Sequence, residues 1–427
     1  MLEKQVTIED IEEAINKVYI MEDTGIVRMI LANVIGNIIN IKNAPIWTII
    51  LAPSSGGKTA MMDMLSLCKK YIVNIDTLTA NTFASGQRRD EETSLLHKAN
   101  KKVFLFEDFT VVMSMNEDSK REIMGQLRRI YDGEFKKETG NNVTVDWKGK
   151  VGFLAGGTTP VQRLMRDFSK DGERFLYYSM KMADYALIAK RSIHNQKNIA
   201  QEKEEIAKLV ERFVHQKITD YTEQTTKITE TLIDDIVDVA VFCTRARSPV
   251  QMNRKNPRVV DYVGDIEVPG RMATMMANYA HTLMYICEEK ELGARNASLI
   301  YQIGLDSIPV DRRVVLQILA KYTSSSTKNL AIKLNLTTET VGSWLSQVNA
   351  LCMVDRRKEG QNDVWTLKEE YKDTLCKYLD IKKVNCELEV TELEELKSAY
   401  ADDSASTIDE VPDIDDEKIR MMLDKEF

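Results

Sequence analysis

One stretch limits what this chain can fold into more than any other: Pro45–Met62, PIWTIILAPSSGGKTAMM. Trp47, Ile49, Ile50 and Leu51 form an apolar run the length of a buried strand, and a Gly/Ser turn and the start of a helix follow. Small residues at Ser54, Ser55, Gly56 and Gly57 let backbone N–H groups wrap a phosphate at the helix start, where the helix dipole favours an anion. Ala52–Thr59 therefore fits the phosphate-binding P-loop pattern, with Ala in place of its first glycine. The expected ligand is ATP with Mg²⁺. Lys58 is expected to reach the β- and γ-phosphates and the Thr59 hydroxyl to bind the metal, with Ala60 next on the helix.

With 427 residues the chain has room for about two to four domains with cores of their own. It has no apolar run of about 18 residues or more, so no membrane span is expected. The N-terminal MLEKQVTIEDIEEAI is acidic and helical in pattern, unlike a signal peptide. The six cysteines are scattered without a CxxC, and the four histidines are equally dispersed. That argues for reduced thiols, a cytoplasmic protein and no zinc site. The net charge of −8 does not exclude nucleic acid, because Ala401–Phe427 alone carries −7 and leaves the body near −1.

Along the chain, residues 1–43 read as a helical cap, with Ile8, Ile11, Ala14, Ile15 and Val18 at helical spacing and an apolar helix over Val27–Ile41. Residues 44–181 alternate strand, helix and loop. Tyr71–Asp76 is a short strand. Lys102–Phe106 is an apolar strand ending in Glu107-Asp108, the place for a carboxylate that holds a Mg²⁺ water shell. Asp118–Tyr131 is an amphipathic helix, and a hairpin is expected over Asn141–Lys150, with Trp147, Lys148 and Lys150 near its tip or on its second strand. The strand Val151–Leu154 leads to Gly156-Gly157-Thr158-Thr159, whose polar groups are candidates for the γ-phosphate or the attacking water, and Leu176–Tyr178 is a further strand. Strands separated by helices imply a parallel α/β sheet with its ligand at the strand C-terminal ends.

Residues 182–305 read as a helical lid. Ile188–Lys217 is expected to be one long solvated helix, and Arg245–Pro257 a basic loop. Residues 306–385 contain three helices and a hairpin, the pattern of a winged helix. The second helix of its helix–turn–helix, TTETVGSWLSQVNA, has no Lys or Arg, so phosphate contacts are expected from Lys328, Lys333, Arg356, Arg357 and Lys358. Residues 386–427 are acidic and expected to be disordered, with Lys418–Phe427 a candidate docking peptide for a partner.

The P-loop, the Glu107-Asp108 strand, Gly172-Glu173-Arg174-Phe175, Gly270-Arg271 and the C-terminal winged helix, in this order, resemble an AAA+ ATPase. Within that class the segments LTANTFASG, FEDFTVVMSM, QLRRIYDGEF, WKGKVGFLAG, GERFLYY and EVPGRMATMMANYA resemble phage and mobile-element ATPases related to the minichromosome maintenance helicases. The resemblance runs from about Ile35 to Leu367 and implies roles. Arg174 stands where those proteins have an arginine finger that acts on the neighbouring subunit's ATP, and Arg271 where they have the sensor-2 arginine. Trp147–Lys150 corresponds to a hairpin that points into a DNA channel. Thr158 or Thr159 takes the sensor-1 place, usually Asn. Glu107-Asp108 reverses the usual acidic order and leaves open which carboxylate serves the metal and which the water.

The expectation is thus a ring, hexameric by the resemblance, that hydrolyses ATP to translocate on or unwind DNA in phage or mobile-element replication. The alternatives are a helicase loader or replication initiator that uses ATP as an assembly switch, and an ATP-dependent winged-helix transcription regulator.

Overall fold

The computed structural model describes residues 5–22, 24–39, 44–79, 81–83, 94–138, 144–165, 172–181, 184–195, 198–222, 228–322 and 324–378. The acidic tail, Asn141 and Asn142 of the expected hairpin, and Ala80, Ala84, Ser85 and Gly86 of LTANTFASG lie outside these residues.

Two helices come first, α1 (Ile8–Val18) and α2 (Gly25–Ile39). Thr7 starts α1 with a reciprocal cap: its Oγ1 accepts from Asp10 N at 3.2 Å, and Asp10 Oδ2 accepts from Thr7 N at 2.9 Å. Helix α2 is apolar nearly all round because it is enclosed nearly all round. Its two buried asparagines key it to the sheet. Asn37 exchanges two bonds of 2.8 Å with the backbone of Ile46, and Asn33 Nδ2 donates to Thr48 Oγ1 at 3.2 Å.

The core follows as β1 (Trp47–Leu51), α3 (Lys58–Asp63), β2 (Ile72–Ile75), α4 (Leu95–Ala99), β3 (Val103–Phe106), α5 (Thr110–Met113), α6 (Glu117–Tyr131), β4 (Glu134–Glu138), β5 (Thr144–Lys148), β6 (Gly152–Gly157), α7 (Thr159–Met165) and β7 (Leu176–Ser179). Five of the strands form one parallel sheet in the order β2-β3-β6-β1-β7, with Thr48 opposite both Leu154 and Leu176. WTIIL, VFLF and GFLAGG are buried at every position, the mark of a parallel sheet covered on both faces. The result is a mixed α/β fold of P-loop-compatible form. From β1 the chain runs to β2 at one edge, and from β6 it crosses β1 to reach β7 at the other. The connections therefore diverge beyond the C-terminal ends of β1 and β6, which opens a crevice there.

Helices α8 (Tyr185–Asn195), α9 (Ile199–Thr219) and α10 (Glu230–Arg247) come next, then β8 (Val250–Met252), β9 (Val260–Val263), α11 (Gly270–Ile286) and α12 (Ala294–Asp306). Two expectations fail here. The stretch from Ile188 to Lys217 is two helices, and the second is not a solvated rod: α9 buries Ile206, Val210, Phe213 and Val214 and packs on α1 and α2. Its apolar residues recur at helical spacing beneath the Lys and Glu that dominate its composition. The basic loop after Arg245 is in part an antiparallel hairpin, β8–β9.

The last block contains α13 (Val310–Lys321), β10 (Ser325–Ser326), α14 (Thr327–Leu334), α15 (Thr338–Ala350), β11 (Val354–Glu359), β12 (Asn362–Leu367) and α16 (Glu369–Tyr378). Its antiparallel sheet runs β10-β12-β11. The turn between α14 and α15 uses Asn335 in the left-handed region (φ 50°), and Thr337 caps α15 through Thr340 N at 3.1 Å. Leu330, Leu334, Val341, Trp344, Leu345 and Val348 are buried together, as their spacing predicts, while Leu336, expected on the same inner face, is half-buried. Arg312, fully buried, keys this block to α10: it donates to Ala246 O at 2.9 Å, Ser248 O at 2.6 Å and Gln347 Oε1 at 3.0 Å. Among the described residues no helix is long and apolar enough to cross a membrane.

Candidate functional site

The crevice is lined by the loop after β1, the residues after β3 and those after β6. In the first loop Ser55 and Gly57 both have positive φ (63° and 82°), and Gly56 N donates to Pro53 O at 3.0 Å. This winds the backbone tightly ahead of α3. Ser54, Ser55, Gly57 and Thr59 are exposed, Lys58 and Ala60 half-buried, and Gly56 buried. Lys58 Nζ is folded back over the loop's own carbonyls, 2.6 Å from Ala52 O and 2.9 Å from Pro53 O. Asp63, at the end of α3, pairs with Lys203 of α9 at 3.0 Å and so ties the loop's helix to the helical layer.

Glu107 and Asp108 stand exposed just past β3. The loop that carries them is pulled across the end of β6: Phe109 N donates to Gly156 O at 2.7 Å, and a Cβ at Gly156 would stand 2.4 Å from Glu107 O. Only glycine permits that approach. The two carboxylates differ. Asp108 Oδ1 accepts from Thr110 N at 2.9 Å, whereas the Glu107 carboxylate has no hydrogen-bond partner among the described residues. Thr110 also reaches Thr158, with its Oγ1 3.3 Å from both Thr158 N and Thr158 Oγ1. Thr158 is thereby joined to the Asp108 loop, while Thr159 begins α7. Thr110 carries no sequence motif; its part follows from where two loops meet.

Arg174 and Arg271 are not at this crevice. Leu176 lies opposite Thr48 in register, so Arg174 sits at the end of the sheet where β1 begins, roughly 20 Å from the P-loop by strand rise. Arg174 Nη1 donates to Gly172 O at 2.7 Å and Nη2 to Asp132 Oδ2 at 3.1 Å. Arg271 joins it there, donating to Glu173 O at 3.0 Å, with its guanidinium 5.9 Å from the Tyr131 ring centre. Beneath them Glu173 is buried and accepts from Arg174 N at 2.9 Å and Phe175 N at 3.0 Å. Burial raises its pKa, opposed by the nearby Arg247, which Glu267 holds with two bonds of 2.8 Å. Burial pushes the Tyr131 hydroxyl up to about 12. The two arginines thus share one rigid platform made by the core and the helical layer together.

The hairpin residues are distributed differently from the expectation. Trp147 and Lys148 are at the base of β4–β5, opposite Phe135 and Glu134. Trp147 is only 1% exposed, so it packs the core and presents no face to a channel. Lys148 is exposed and pairs with Glu134 at 3.0 Å. Lys150 is half-buried, and desolvation lowers its pKa to about 8 from an ordinary 10.5. The depressed value means that burying its charge costs stability below about pH 8 and that the cost is relieved as pH rises toward 10.5. Lys150→Met should therefore raise the thermal midpoint at pH 7, with the gap to wild type closing between about pH 8 and 10.5. Melts over that range check it, and a pH-independent gap refutes it.

In the last block Lys328, Lys333, Arg356, Arg357 and Lys358 are all exposed. Two of the three hairpin cations are spoken for: Arg356 binds Asp363 with bonds of 2.9 and 2.8 Å, and Arg357 pairs with Glu359 at 2.6 Å. Among the described residues no cluster of His, Cys, Asp and Glu has the form of a metal site. Compared with protein-family models and with curated proteins, the chain matches none.

Proposed function

We propose that the chain is a ring-forming AAA+ ATPase, with a C-terminal winged helix, that couples ATP hydrolysis to movement on or unwinding of DNA in phage or mobile-element replication. One observation carries this reading. The P-loop with its two carboxylates stands at one end of the parallel sheet, and two arginines on a shared platform stand at the other. Neither arginine can serve the P-loop of its own chain at that distance. A head-to-tail ring is the arrangement that uses both, because it brings the arginine end of one subunit to the P-loop end of the next.

The residues fit a nucleoside triphosphate and Mg²⁺. The tight loop, the exposed Thr59 hydroxyl, the Lys58 ammonium held against the loop's own carbonyls, and the unengaged Glu107 carboxylate supply complementary groups. Loop N–H groups and Lys58 would bind the phosphates, and Thr59 and Glu107 would hold the metal, Glu107 through water. Bound Mg²⁺ supplies charge neutralisation at the phosphates. Asp108, oriented by Thr110, would hold the attacking water. Thr158 would contact the γ-phosphate oxygens, and Arg174 and Arg271 of the neighbour would add positive charge where negative charge develops.

Subunit mixing tests this. Lys58→Ala and Arg174→Ala should each lose ATP hydrolysis. An equimolar mixture should regain about a quarter of wild-type activity, since random head-to-tail neighbours put an intact P-loop against an intact arginine at about that frequency. A mixture as inactive as its components, or an active Arg174→Ala protein, would sink the shared site. Loss of DNA-stimulated hydrolysis and strand displacement in Lys58→Ala tests the coupling to DNA.

A further inference from the structure

The turn of the β8–β9 hairpin is rich in cations. It carries Arg254, Lys255 and Arg258, all exposed, and none forms an ion pair with any described residue. The contrast with the β11–β12 hairpin is direct, because Asp363 and Glu359 already neutralise Arg356 and Arg357 there. The β8–β9 turn is also shaped in advance. Asn253 Oδ1 accepts from Lys255 N at 2.9 Å and Asn256 N at 3.0 Å, and Asn256 Oδ1 accepts from Arg258 N at 3.2 Å. Asp261, the acid on the adjoining strand, is engaged by Asn253 Nδ2 at 2.9 Å. Three cations thus project from a fixed backbone with no competing carboxylate bound to them.

Both strands of this hairpin pack on α15. Arg258 lies across the helix at Gly342, where an added Cβ would come 3.0 Å from Arg258 Nε. Val341, Gly342, Trp344, Leu345, Gln347 and Val348 are buried, so α15 is open mainly at its first turn, where Thr338 and the acidic Glu339 are exposed. A helix covered in this way, and without Lys or Arg of its own, is poorly placed to enter a DNA groove.

We propose that the β8–β9 turn is the DNA-contacting surface of this half of the molecule: Arg254, Lys255 and Arg258 bind backbone phosphates, and α15 is their support. The proposal rests on the DNA reading given above. Phosphate contacts of this kind are sequence-independent and release counterions, so they are visible in the salt dependence of binding.

The test uses the full chain and fluorescence anisotropy with labelled single-stranded and duplex oligonucleotides over a salt series. The variants are Arg254→Gln/Lys255→Gln/Arg258→Gln and the corresponding triple Glu protein. For either triple variant, affinity should fall by about ten-fold or more at low salt. The slope of log K against log salt should shrink by about 2 to 3, given about 0.9 per phosphate on a duplex and 0.7 on a single strand. The arm with the larger change identifies the strand form bound. Arg356→Gln/Arg357→Gln should change both quantities less. The Gln triple keeps the test valid if charge reversal disturbs folding. Unchanged affinity and slope in the Gln triple, with wild type binding DNA, overturn the hairpin assignment alone. Failure of wild type to bind either oligonucleotide overturns the DNA reading and this proposal with it.

Discussion

Arg312→Met is expected to cost about 3 kcal/mol of stability, because three buried acceptors lose a charged donor at once. Arg312 is fully buried and donates to Ala246 O, Ser248 O and Gln347 Oε1, which come from α10, the residue after it, and α15. Methionine fills much of the same volume, so the cost comes from the orphaned oxygens more than from a cavity. Losing a buried cation also removes its desolvation penalty, which offsets part of the loss and keeps the figure near the lower end for a broken buried network. The thermal midpoint should fall by roughly 3–4 °C for a chain of this length. Because the contacts join the C-terminal block to the helical layer, amide exchange should accelerate first in α13 and α15, before the parallel sheet. Lys333→Met, on an exposed face, should change the midpoint by no more than about 1 °C. Equal midpoints for the two variants would refute the keying role of Arg312.

Much of the fold was legible because local pattern and tertiary environment agree. The runs WTIIL and VFLF are short, apolar and buried at every position, so they announce central strands of a parallel sheet. Helices α14 and α15 are equally readable, since Leu330, Leu334, Trp344 and Leu345 mark their inner face. The β8–β9 hairpin is not legible for the opposite reason: Gln251, Asp261 and Tyr262 are exposed and, of the other strand residues, only Val250 is buried, which leaves almost no apolar alternation. Trp147 stands on the hairpin for which the resemblance implies a DNA channel, while its indole packs inward at the hairpin base. The candidate site divides in the same way. The P-loop and Glu107-Asp108 are contiguous motifs. The meeting of Arg271 with Arg174, the approach of Gly156 to Glu107 O and the Thr110–Thr158 link are contacts between segments distant in the chain, and no local spacing encodes them.

On the proposed ATPase reading, the reversed order of Glu107 and Asp108 gives the two carboxylates separable phenotypes. A group that orients an attacking water must itself be held still. Asp108 meets that requirement, since Thr110 N fixes its Oδ1 at 2.9 Å and leaves the second oxygen for the water. Asp108→Asn keeps a carbonyl oxygen for Thr110 N but loses the base, so turnover should drop by about 10² to 10⁴ with ATP affinity retained. Glu107→Gln should act on the metal instead: half-maximal activity should require about ten-fold more Mg²⁺, with much of the maximal rate recovered at saturation. Thr110→Val is the intermediate case. It keeps the N–H that binds Asp108 and removes only the hydroxyl that reaches Thr158 N and Oγ1, each at 3.3 Å. Its turnover should fall by about ten-fold with an unchanged Mg²⁺ requirement, because the loss falls on the alignment of Asp108 against Thr158 rather than on the metal. Steady-state hydrolysis over a Mg²⁺ titration, with nucleotide binding measured separately, reads all three. If Asp108→Asn is rescued by Mg²⁺ and Glu107→Gln is not, the roles are exchanged: the longer carboxylate reaches the water, and the Thr110 bond to Asp108 merely starts α5.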